Sequence, residues 1–88
     1  MQKILFEFPC RENWHIDAFE AVVKERLKDK GEYRLLPQAT TYGDDITQDY
    51  IFIAEEPGLF FFLGMVLSLV YACIDDGTIS KRFKPATK

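Results

Sequence analysis

Leu59-Phe60-Phe61-Phe62-Leu63-Gly64-Met65-Val66-Leu67-Ser68-Leu69-Val70-Tyr71-Ala72-Cys73-Ile74 is a run of 16 residues without a charge, bounded by Glu55-Glu56 before it and Asp75-Asp76 after it. Pro57 suits a first helical turn, since its missing N–H would be unbonded there anyway, and Gly77 suits a helix exit. The run therefore predicts a helix, although Phe60-Phe61-Phe62 alone would also fit a strand.

Working back from this helix, Tyr50-Ile51-Phe52-Ile53-Ala54 is rich in β-branched and aromatic residues and apolar on both faces, as in a central strand. Tyr42-Gly43-Asp44-Asp45 is turn chemistry that joins it, as a hairpin, to a strand around Tyr33 and Leu35. Pro37 bends that strand or confines it to a sheet edge. Earlier still, Ile16, Phe19, Val22, Val23 and Leu27 recur at helical spacing after a possible cap at Asn13, and Gly31 provides a stop. Ile4, Phe6 and Phe8 alternate with Lys3, Leu5 and Glu7, giving a first strand with its core side on Ile4, Phe6 and Phe8.

Beyond the apolar run, Thr78-Ile79-Ser80-Lys81-Arg82-Phe83 has a weak period of two before Pro85 and is read as a short edge strand. The order is then β-α-β-β-α-β. This predicts an α+β fold, the ferredoxin-like sandwich: a four-stranded antiparallel sheet with two helices on one face. One domain over residues 1–84 and a flexible tail over 85–88 complete the expected organisation.

The 11 basic and 14 acidic side chains give a net charge of -3, which opposes the broad positive field of nonspecific nucleic-acid binding. Tyr50 and Phe52 invite comparison with RNA-stacking aromatics, but the surrounding Asp44, Asp45, Asp49, Glu55 and Glu56 repel phosphate. Cys10 and Cys73 have neither disulfide-framework nor zinc-knuckle spacing, and Glu7 and Pro9 interrupt the apolar run that a secretory leader needs. A reducing cytoplasm is the expected location. At about 1.5 Å per residue the uncharged run spans roughly 24 Å, short of the roughly 30 Å hydrocarbon core. Membrane association through Leu59 to Ile74 is accordingly a lesser alternative.

Two helices on one face leave the other face of the sheet open, carrying some of Leu5, Leu36, Tyr50 and Phe52. The uncharged helix has a stripe of small residues, Gly64, Ser68 and Ala72, along which another helix can approach closely. These seven residues are the expected interface. The leading functional reading is a non-enzymatic module that self-associates, as a dimer, or binds a protein partner or a small apolar ligand.

A reading from a different class is thiol chemistry. Cys10 lies beside Arg11 near a helix N-terminus, where a thiolate is favoured, and His15 stands about one turn away as a base. Cys73 is read as an inert buried thiol. Asp44, Asp45 and Asp49 offer carboxylates for a hard cation, but lack the alternating ligands and closing glutamate of a calcium loop. No cofactor is implied. Asp75 and Asp76 oppose the helix dipole, and Lys81, Arg82 or Lys84 is the expected source of compensation.

Overall fold

The chain forms strand β1 (Gln2–Cys10), helix α1 (Asn13–Leu27), strands β2 (Tyr33–Tyr42) and β3 (Ile46–Ala54), and helices α2 (Pro57–Asp76) and α3 (Thr78–Phe83). The computed structural model describes residues 2–83, so the tail expected at 85–88 lies outside the described residues. The three strands are antiparallel in the order β1-β3-β2, and the helices pack on the sheet. The fold is α+β, as the periodicities indicate.

Its order is β-α-β-β-α-α, not the ferredoxin-like one: the expected fourth strand, Thr78–Phe83, is helix α3. The reason lies in the turn before it. Gly77 takes φ +83°, a left-handed conformation that closes α2, and donates its N–H to the Ile74 carbonyl. The Asp76 carboxylate accepts the Thr78 N–H at 2.8 Å, and the Ser80 hydroxyl bonds the Gly77 carbonyl at 2.8 Å. The first contact caps the helix start, and the Lys81 N–H bonds the same Gly77 carbonyl at 3.3 Å as its first helical bond. Ile79 is buried and Phe83 partly so, four residues apart on one helical side, while Lys81 between them is exposed. A strand would have placed all three on one face.

Residues directly opposite one another in a sheet share a face. The register Phe6↔Tyr50 and Ile4↔Phe52 therefore puts Tyr50 and Phe52 on the helix-covered side, with Phe8, Gln48 and Ala54. Phe8 stacks on Phe19 of α1 with ring centroids 4.6 Å apart, Phe6 stacks on Tyr50 at 5.3 Å, and Phe52 meets Phe60 of α2 edge-on at 5.3 Å. Leu59, Leu63, Val66 and Val70 supply the buried stripe of α2, which packs on α1.

The two ends of β2 differ in register: Pro37 faces Tyr50, yet Thr40 faces Gln48, so Gln38 and Ala39 bulge opposite Asp49. The edge position anticipated from Pro37 is the one observed.

Candidate functional site

The outward side of α2 is an uncharged, solvent-exposed surface. Phe61 is 73% exposed and Met65 54%, with Gly64, Ser68 and Ala72 also open to solvent. Phe60, Phe61, Gly64, Met65 and Ser68 line a shallow groove of about 600 Å³. A methyl group added at Gly64 would meet no atom within 4 Å. Helix α1 thus leaves the small-residue stripe unfilled, having packed on the opposite side of α2.

On the sheet, Leu5, Ile51 and Leu36 form a cross-strand row on the side without helices. Leu5 is 73% exposed. Tyr50 and Phe52 do not belong to this surface. They are 1% and 0% exposed, in the core. Both faces of β3 are apolar, so its composition left the facing undetermined, and the pairing with β1 decides it. The Tyr50 hydroxyl donates to the Glu20 carboxylate at 2.7 Å, and burial with that contact raises its pKa strongly. Of the residues expected at an interface, Leu5, Leu36, Gly64, Ser68 and Ala72 remain outside the core.

Cys10 and His15 do come together, lining a cavity of about 250 Å³ closed by Asp45 from the hairpin turn and by Tyr71 and Asp75 from α2. The last three were not linked to the pair by any sequence spacing. The Tyr71 hydroxyl reaches the Pro9 carbonyl at 3.1 Å, fixing the C-terminal part of α2 over the end of β1. Electrostatics in the cavity do not favour a thiolate and imidazolium. Burial raises the Cys10 thiol pKa, outweighing the contact at 3.4 Å in which the thiol donates to the Glu12 carbonyl. Burial likewise lowers the His15 pKa, against the pull of Glu12, whose carboxylate lies 3.8 Å from Nε2. His15 Nδ1 has no hydrogen-bond partner among the described residues.

The three aspartates do not converge. Asp45 faces the cavity, while Asp49 sits opposite Glu7 in the sheet. Among the described residues no group of three or more His, Cys, Asp or Glu is arranged to hold a metal ion. Asp76 is occupied as the cap of α3, which lowers its pKa, and Arg82 pairs with Glu25 of α1 at 2.6 Å. Cys73 is half-buried, less enclosed than expected. No family model, curated protein or solved structure matches this chain.

Proposed function

We propose that this protein is a non-enzymatic binding module, and that the outward side of α2 is the surface with which it self-associates. The observation that carries this reading is the mismatch between the composition of α2 and its burial. Only 22% of its most apolar 18-residue window is enclosed by the rest of the fold. Exposed apolar area of this kind, with small residues that let a second helix approach, favours a packed helix pair over solvent.

The test is the solution mass by light scattering without detergent, over a concentration series. The wild-type chain associates as concentration rises. The variant Phe61→Ser/Met65→Ser, altered only at exposed positions, keeps its far-UV spectrum and associates measurably less. An unchanged mass profile in the folded variant removes α2 from the interface.

A second reading has its own observation: α2 is 20 residues long and apolar enough to cross a membrane. Against it, carboxylates rather than Trp flank both ends of the helix, and its inner side is committed to the core. Co-sedimentation of the purified chain with zwitterionic vesicles separates the two. Retention in the supernatant favours a protein surface, and sedimentation favours lipid.

A further inference from the structure

The sheet has two edges, and they are built differently. The β2 edge is blunted in mid-strand by Pro37, which offers no N–H, and by the bulge at Gln38 and Ala39. At the β1 edge Tyr71 takes the Pro9 carbonyl, and Pro9 itself carries no N–H, so among the described residues the C-terminal end is the part that is closed. From Gln2 to Phe8 the strand is regular, it pairs with β3 alone, and among the described residues no strand lies beyond it. A long, regular and apolar edge is a template for another strand.

We infer that β1 is a homodimerisation edge: two copies join their β1 strands antiparallel about a two-fold axis at Leu5, giving one continuous six-stranded sheet. The residue order selects this occupant. Leu5 is the midpoint of the open stretch Gln2–Phe8, so an antiparallel copy centred there sets Lys3 against the partner's Glu7, twice over by symmetry. Opposite charges across a strand pair stabilise it, whereas parallel or shifted copies lose this match. The same register lays Leu5 beside the partner's Leu5 on the open face. On the helix side it lays Ile4 against the partner's Phe6. These contacts would cover Leu5 and Ile4, which are 73% and 40% exposed. The β1 edge is separate from the outward side of α2, so the two surfaces stand or fall independently.

The experiment uses the full chain carrying Phe61→Ser/Met65→Ser, in which association through α2 is removed. Light scattering over a concentration series still gives a dimer. Lys3→Glu replaces both ion pairs with repulsions and raises the dimer dissociation constant by on the order of tenfold. Lys3→Glu/Glu7→Lys, which restores opposite charges, returns it. Leu5→Cys, exposed and without effect on the far-UV spectrum, forms an oxidised dimer whose cross-linked peptide joins position 5 to position 5. Facing residues of an antiparallel pair lie within disulfide reach. A monomer at every concentration overturns the inference, as does a charge swap that fails to restore association. A third contrary result points to stacking of the open faces instead. There Ile51→Lys, in the middle of that face and away from the β1 edge, dissociates the dimer while Lys3→Glu leaves it intact.

Discussion

The Gln48 side chain accepts the Thr40 hydroxyl and donates to the carbonyls of Gln38 at 3.1 Å and Ala39 at 3.4 Å. It is 5% exposed, so these are the partners that a buried amide requires, and they hold the bulge closed. Gln48→Ala leaves the bulge carbonyls without that donor and is expected to cost about 1–3 kcal/mol in chemical denaturation. His15 is a second buried polar group, with a pKa below its ordinary value of 6.5 because burial disfavours the imidazolium. The folded state therefore prefers the neutral ring. Its contribution is complete above pH 6.5 and is lost as pH falls through the lowered folded value. Melting curves between pH 7 and 5 should show wild type losing stability more steeply than His15→Gln, which cannot ionise. Equal slopes would mean that His15 is not the titrating group. Cys10, with a raised pKa, should react with a thiol reagent near neutral pH more slowly than a free peptide thiol; a faster reaction would revive the nucleophile reading. That Cys10 and His15 are neighbours was legible from their separation of five positions along the chain. Their electrostatics were not, because the leading cause is burial, in a cavity that Tyr71, Ile74 and Asp75 of the distant α2 help to line.

At the level of elements, α1 and the hairpin followed from apolar periodicity and turn residues, because in both the local preference and the tertiary environment agree. The segment Thr78–Phe83 is where they diverge. Its alternation is only six residues long, and the contacts that make it helical come from Asp76 and Gly77 immediately before it. Asp75 and Asp76 were read against the preceding helix, whereas Asp76 acts on the following one. Within α2, Gly64 is a helix-interior glycine facing empty space. Gly64→Ala is expected to raise fold stability by about 0.5–1 kcal/mol, from the lower helix propensity of glycine. The same methyl group fills the small-residue stripe and should weaken α2-mediated association. Thermal denaturation and solution mass, measured on the one variant, would then move in opposite directions.

The molecule as a whole is two layers deep, with principal extents of 45, 26 and 18 Å. That one face of the sheet stays bare was legible from the pattern of strands and helices. Which aromatics it lacks was not, since β3 is apolar on both sides and its facing depends on a register with β1 that spans most of the chain. Among the described residues, the order β1-β3-β2 also makes β3 the one strand paired on both sides. Its amides should exchange with solvent most slowly of the three strands, and comparable protection in β1 and β3 would show that β1 has gained a second neighbour. Gln2 pairs with Ala54, a residue made much later in synthesis. At about 5–20 residues per second, the ribosome takes on the order of 2 to 10 seconds to make the segment between β1 and its partner. Until β3 is made, β1 lacks its native partner, so on a polysome it can meet the same strand of a neighbouring nascent chain before it meets β3.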